Sequence, residues 1–494
     1  MSQRAAETHA GRPALVWFRR DLRLADNPAL SAAVASGRPV VALFIYDTSA
    51  ATRPLGGASR WWLDKSLRAF AASLEAIGGR LILRCGDPLV QVPAVAAEIG
   101  AGLITWSRLY EPAVVERDSA LKSMLKEAGI EARSFNAALL NEPWTITNAA
   151  GRPFQVFTPY WRAACAKISA VELAPAPAAL VKPDHWPPSE ALDAWRLHPR
   201  NPDWSTGFTP WSPGEAGALA RLDLFLAERL AGYARGRDLP GDDATSGLSP
   251  HLHWGEIGPR QIWRRAHDHA ETVGARAPRE DLDRFLAELG WREFNHQLLF
   301  HGEDLAQVNV RRAFDAFPWR DDPAGLDAWR RGQTGYPMVD AGLRELWTTG
   351  FMHNRVRMIV ASFLIKHLLI DWREGERWFW DTLVDANPAS NAGNWQWVAG
   401  CGADAAPFFR IFNPVTQGQK FDPDGANVRR WVPELARLPD ALLHAPWTAP
   451  PAVLAAAGVR LGRDYPGPIV DHAFARTRAL AALKAVTSAA DAAD

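Results

Sequence analysis

The sequence predicts two domains: an α/β N-terminal domain built on a parallel, doubly wound sheet, and an all-α C-terminal domain. Three observations predict it. Up to residue 135, short continuous apolar runs alternate with amphipathic stretches, which is how parallel strands covered on both faces read. From Gly214 almost to the end the apolar spacing is helical. Between them lies a stretch rich in Pro and Trp without periodicity, including APAPAALVKPDHWPPSE, as expected of a connector laid over a surface.

Residues 1–13 carry no periodic signal and are expected to be disordered. Residues 14–19 read as a buried strand, and Asn27-Pro28 reads as the N-cap and first residue of a helix reaching residue 36. Further strands are expected at 40–46, 80–84, 103–106 and 130–135, with helices at 59–77, 88–99 and 114–128 between them. The expected divisions are therefore 14–135 for the α/β domain, 136–213 for the connector, 214–480 for the helical domain and 481–494 for a short tail.

Composition excludes several classes. With 55 basic and 55 acidic residues, the chain has no overall positive field, so any nucleic-acid surface must be a local patch. Its three cysteines, at 85, 165 and 401, form no Cys-x-x-Cys pair, which argues against a disulfide framework, a Cys-rich zinc site and a four-cysteine cluster. No metal is expected. The first residues lack an apolar signal core, and no run of about 18 apolar residues occurs, so no membrane association is expected and the expected location is the cytoplasm. The N-terminal domain has neither G-x-G-x-x-G nor G-x-x-x-x-G-K-[ST]. Most of the 23 tryptophans follow residue 140, which assigns a large planar ligand or a redox process to the second domain.

The densest chemistry lies in residues 335–431. There, aromatic residues sit beside His353, Asn354, Arg355 and Arg357, and Asp385 and Asn391 precede Trp395 and Trp397. Any one Trp alone is more often core packing. The runs GYPMVDAGLREL, GFMHNRVRM, DWREGE and NWQWVAGCGADAAPFFRIFNP together resemble the flavin-binding centre of the photolyase and cryptochrome family, and more closely its microbial cyclobutane-pyrimidine-dimer photolyases. The likeness extends from about Leu15 to about His472.

The resemblance implies FAD in the helical domain. Tyr233 and the run Thr245, Ser246, Gly247, Leu248, Ser249 match the phosphate-binding segment; read alone, Ser249-Pro250 is simply a helix start. The family often has Arg where this chain has Gly247, so one cationic contact is in question. Arg357 and Asp385 match an ion pair packed by the isoalloxazine, Asp385, Ala386 and Asn387 match the lining of its polar edge, and Asn391 matches the residue facing flavin N5. Asn387 departs from the Asp common in relatives, and Asn387-Pro388 also reads as an ordinary N-cap.

For substrate, helical spacing puts Glu288, Trp291, Arg292 and Asn295 on one face. In the family that face forms one wall of a dimer pocket, with Glu288 hydrogen-bonding a flipped base and Trp291 stacking on it; Asn354, Met358 and Trp397 match the opposite wall. Enzymes of the family that repair (6-4) photoproducts use His where Met358 stands, and a thioether cannot transfer a proton. Trp319, Trp372 and Trp395 match a chain of tryptophans that carries electrons to photoexcited flavin. Candidate phosphate contacts are Arg355, Arg410, Lys420, Arg429 and Arg430. Glu111 matches a Glu that contacts an antenna chromophore, a folate rather than a deazaflavin; a solvated carboxylate at a helix start is the alternative. The implied activity is light-dependent repair of cyclobutane pyrimidine dimers in DNA, by electron transfer from photoexcited reduced FAD to a flipped-out dimer, in a monomer. A cryptochrome-type photoreceptor without repair is the alternative.

Overall fold

The computed structural model describes residues 11–168, 171–274, 278–404 and 409–491, so residues 1–10 of the expected disordered start lie outside it. Strands and helices alternate as the pattern predicts: β1 (Ala14–Phe18), α1 (Pro28–Ala35), β2 (Val40–Asp47), α2 (Gly57–Ala76), β3 (Leu81–Gly86), α3 (Pro88–Glu98), β4 (Leu103–Ser107), α4 (Pro112–Glu127) and β5 (Glu131–Phe135). All five strands are parallel, in the order β3-β2-β1-β4-β5. The unbroken apolar strands have a simple cause. Val16, Phe18, Ala42 and Phe44 enter one core, Leu15, Trp17, Val41 and Leu43 the other, because successive side chains leave opposite faces. Asn27 caps α1 by accepting from the Leu30 amide at 3.0 Å.

Strand order reverses between β1 and β4, the place where open α/β sheets hold ligands. Here protein fills it. Arg19 donates to the Ser107 carbonyl and pairs with Asp118, the Ser107 hydroxyl donates to Asp21 at 2.6 Å, and Arg117 pairs with Asp47.

The connector is less irregular than its composition suggests, because it contains α5 (Phe157–Lys167). Phe157, Tyr160, Trp161 and Ala164 lie at helical spacing, a signal hidden by the surrounding Pro and Trp. The helices that build the site follow: α6 (Glu215–Glu228), α7 (Ser249–Trp254), α8 (Arg279–His301), α9 (Pro337–Thr349), α10 (Asn354–Ser362) running into a π-helical turn at Phe363–His367, α11 (Trp372–Thr382), α12 (Pro388–Ala399) and α13 (Pro414–Phe421). The last helix, α14 (His472–Asp491), runs straight through the boundary expected at residue 480. Ala475, Ala479, Ala482 and Val486 form its buried stripe, so the expected tail begins as packed helix.

The two domains are locked by polar contacts. The loop after β2 docks on α11: Arg53 pairs with Glu376 through two bonds of 2.7 and 3.0 Å, the Trp380 indole donates to the Pro54 carbonyl at 2.8 Å, and the Gly57 amide donates to Asp381 at 2.8 Å. Glu215 of α6 accepts from the Leu24 and Ala25 amides. Among the described residues no helix is long and apolar enough to cross a membrane.

Candidate cofactor and substrate site

A cavity of about 500 Å³ opens between α7, α8, α10, α11 and α12, lined by residues from each. Its polar edge is set by a bidentate pair: Arg357 donates to the two carboxylate oxygens of Asp385 at 3.2 and 2.9 Å, and its Nε donates to the Met352 carbonyl. Such a fork fixes both side chains in one plane. The Ser249 hydroxyl donates to Asp385 at 2.6 Å. Ser249 is therefore not the N-cap; Leu248 occupies that position of α7, and the serine is spent on the carboxylate.

Asn387 caps α12, accepting from the Ala389 and Ser390 amides at 2.9 and 3.1 Å, and its amide nitrogen lies 3.5 Å from His253 Nδ1. Asn391, one turn on, donates to the carbonyl and the carboxylate of Glu376 at 3.0 and 2.8 Å. Ala386, Asn387 and Asn391 all line the cavity, as do Ser390 and Asn394, which sequence reasoning missed. Asn394 is three residues from both Asn391 and Trp397, and that spacing was the available signal.

The expected phosphate segment is split. Tyr233, Ser246, Leu248 and Ser249 line the cavity, whereas Thr245 and Gly247 do not. Gly247 has φ +58°, and a Cβ there would overlap the guanidinium of Arg221, whose Nε donates to the Ser246 carbonyl at 2.7 Å. A cation thus stands at this segment after all. It arrives from α6, 26 residues upstream of Gly247, where no local pattern announces it.

The predicted face of α8 does border the cavity: Glu288, Trp291, Arg292 and Asn295 all contribute. The Trp291 ring stacks on Phe157 of α5, with centroids 3.8 Å apart and planes 8° from parallel, which holds the indole rigid. Glu288 pairs with Arg237 at 2.7 Å; burial raises its pKa while Arg237 opposes the rise. Arg292 also braces the connector, since its guanidinium donates to the Ala138 carbonyl at 2.6 Å, and burial lowers its pKa. Asn295 is buried against Gly393 of α12, where a Cβ would collide with its amide.

Asn354, Arg355, Met358 and Trp397 complete the lining. Arg355 pairs with Asp238 at 2.7 Å and lies over Phe421 of α13. Arg410, Lys420 and Arg430 are exposed. Arg429 is not available, because it donates to the Ala436 and Leu438 carbonyls and pairs with Asp440. His353 caps α10, accepting from the Arg355 amide, and burial pushes its pKa down to about 4.

Of the three matched tryptophans only Trp395 lines the cavity. It packs edge-on against Phe379 and against Trp329, a fully buried indole that sequence reasoning did not single out. Trp372 is fully buried and donates to Asn309 at 3.0 Å, and Trp319 is half-buried against Phe317. Glu111, at the start of α4, is not a solvated carboxylate. Burial alone would raise its pKa, but its ion pair with Arg20 at 2.6 Å prevails and holds it below the ordinary value.

These residues suit a large planar ligand with a polar arm. Three residues of the lining keep buried polar atoms without a protein partner, His253 Nε2, Arg355 Nε and Trp395 Nε1, an arrangement that leaves hydrogen-bonding capacity at the site. The volume is that of a cofactor pocket.

Comparison with known proteins agrees. Residues 14–181 match the DNA photolyase family, and residues 285–485 match the FAD binding domain of DNA photolyase. The chain is 53% identical over 475 residues to the deoxyribodipyrimidine photo-lyase of Agrobacterium fabrum, covering 96% of this chain and 98% of that one. It is 40% identical to cryptochrome-1 of Arabidopsis thaliana over 96% of this chain and 71% of the relative. The crystal structure of a class III photolyase from Agrobacterium tumefaciens superposes with a TM-score of 0.93 at 52% identity, covering 97% of this chain and 98% of that one. With both halves matched in order along one chain, the protein belongs to the photolyase and cryptochrome family.

Proposed function

We propose that this protein is a deoxyribodipyrimidine photo-lyase that repairs cyclobutane pyrimidine dimers in DNA under light. One observation carries the reading: the residues assigned to flavin, Arg357, Asp385 and Asn391, and those assigned to a flipped dimer, Glu288, Trp291, Asn354, Met358 and Trp397, border a single cavity. FAD, when bound in reduced form and excited by light, supplies an electron that opens the cyclobutane ring and is returned afterwards.

The protein's own residues do the rest. Trp291, backed by Phe157, offers a rigid plane, and stacking a base on such a plane contributes about 1–3 kcal/mol. That offsets the few kcal/mol of unstacking, which is least for a damaged base. Glu288, with its raised pKa, holds a base edge by a hydrogen bond, and Arg237 keeps it in place. Asn354 lines the dimer pocket, and Arg355 and Arg410 meet the phosphate backbone, together with Lys420 and Arg430. Met358 cannot move a proton, which favours the cyclobutane lesion over the (6-4) lesion. Trp395, Trp372 and Trp319 pass electrons inward when the cofactor must be reduced. A second chromophore, a folate in this reading, meets Glu111, which Arg20 holds in place. The enzyme acts as a monomer in the cytoplasm.

A photoreceptor without repair activity is the second reading, favoured by the 40% identity to cryptochrome-1. Chromatography of oligonucleotides, each with one defined lesion, after illumination and in the dark separates the two. Light-dependent loss of the thymine dimer alone is expected. Loss of the (6-4) lesion contradicts the Met358 argument, and loss of neither by protein containing reduced FAD supports the photoreceptor.

A further inference from the structure

We infer that Arg53, in the α/β domain, is a positioning residue that sets which end of the Asn391 amide faces the cofactor. The inference rests on the proposal that Asn391 faces flavin N5. Asn391 is nearly buried and its nitrogen has two partners, the backbone carbonyl and the carboxylate Oε1 of Glu376, at 3.0 and 2.8 Å. Both partners are acceptors. The end that meets them must therefore be the NH₂, and the carbonyl oxygen is the end left for the cavity that Asn391 lines.

The backbone carbonyl holds that choice from one side, and the Glu376 carboxylate reinforces it for as long as it stays turned to the amide. Glu376 is 1% exposed, and an ionised carboxylate so deep needs a partner. Arg53 supplies it with both arms, at 2.7 Å to Oε1 and 3.0 Å to Oε2, in the fork geometry that a lysine cannot fully reproduce but whose charge it can. The guanidinium also lies 4.2 Å from the centre of the Trp380 ring, so its orientation is fixed by α11 itself. The polarity of the Asn391 amide is thus reinforced from the other domain, by a residue 323 positions from the Glu376 it holds.

The consequence is a preference among redox states. An isoalloxazine carries a hydrogen on N5 when reduced and a lone pair there when oxidised. A carbonyl oxygen facing N5 accepts from the first and repels the second, so the arrangement favours the reduced cofactor on which the proposed repair depends. Without Arg53, the Glu376 side chain loses the partner that points it at Asn391, the amide keeps only the backbone carbonyl at 3.0 Å, and presenting NH₂ to the cavity becomes easier, which favours the oxidised form.

The test is a redox titration of the bound FAD with a reference dye, together with the rate of dark re-oxidation in air, in purified holoprotein. Arg53→Gln should lower the midpoint potential and speed re-oxidation about tenfold, the change that goes with losing one hydrogen bond to a charged group. Glu376→Gln, which keeps the shape and removes the charge, should move both in the same direction and serves if Arg53→Gln does not fold. Arg53→Lys should restore most of the wild-type behaviour. Asp381→Ala cuts the neighbouring Gly57 contact without touching Glu376, and should leave the potential unchanged. An unshifted potential in folded, FAD-loaded Arg53→Gln or Glu376→Gln overturns the inference alone. So does an equal shift in Asp381→Ala, which would assign the effect to domain docking. Wild-type protein that takes up no FAD overturns the functional reading as well.

Discussion

A single carboxyl illustrates how burial at this site becomes a pH dependence. Glu345, near the end of α9, is largely buried with one carboxylate oxygen unpartnered, and burial raises its pKa from 4.5 to about 7 against the weaker opposing pull of the His353 amide, Arg357 and Arg430. The folded state therefore holds a proton that the unfolded chain gives up near pH 4.5. The stability this contributes is complete below that pH and is lost as pH rises through about 7. Glu345→Gln mimics the protonated form and loses nothing. Urea melts should show the variant equal to wild type near pH 4.5 and more stable by about 2–3 kcal/mol at pH 8. Equal stability of the two proteins at both pH values would contradict this. Neither Glu345 nor Arg221 drew notice in the sequence, because the first lies in an ordinary amphipathic helix and the second acts across a distance that no local pattern encodes. Arg292 shows the converse limit. Helical spacing placed it correctly on the face of α8 that borders the cavity, but a long flexible side chain can serve either end of its reach, and here it serves the Ala138 carbonyl.

At the level of elements, period and capping were readable and pairing across the chain was not. The five strands, the Asn27 and Asn387 caps and the α8 face follow from apolar periodicity and from residues whose side chains satisfy helix-start amides. α5 and the second half of α14 were missed, one hidden by Pro and Trp around it, the other by a run so rich in Ala that it reads as featureless. The packing of α11 against α12 was equally hidden. Gly375 of α11 lies so close to Trp395 that a Cβ would overlap the indole ring, and the close approach of the two helices depends on its absence. Gly375→Ala should gain about 1 kcal/mol of helix propensity and lose about 1–3 kcal/mol to overpacking. The melting temperature should therefore change little, while the displaced indole intrudes on the cavity and lowers FAD occupancy, read from the ratio of flavin to protein absorption. Unchanged occupancy would mean that the ring has room to move elsewhere.

For the molecule as a whole, a net charge of zero means that the proposed DNA binding would rest on a few exposed cations, not on a long-range field. Lys420→Gln, at an exposed position, should weaken binding to damaged and undamaged DNA alike and reduce the slope of log affinity against log salt by about 1. Arg429→Gln removes the same charge from a guanidinium already committed to two carbonyls and Asp440, so it should lower stability and leave the slope nearly unchanged. Equal slopes for the two variants would show that Arg429 reaches the phosphates. The connector carries a different consequence, one of timing. Phe157 is translated about 130 residues before the Trp291 on which it stacks, so at 5–20 residues per second its ring waits roughly 7–27 s for its partner. During that interval all five strands have been made, but the core on one face of the sheet still waits for Val384, and the aromatic face of α5 waits for Trp291.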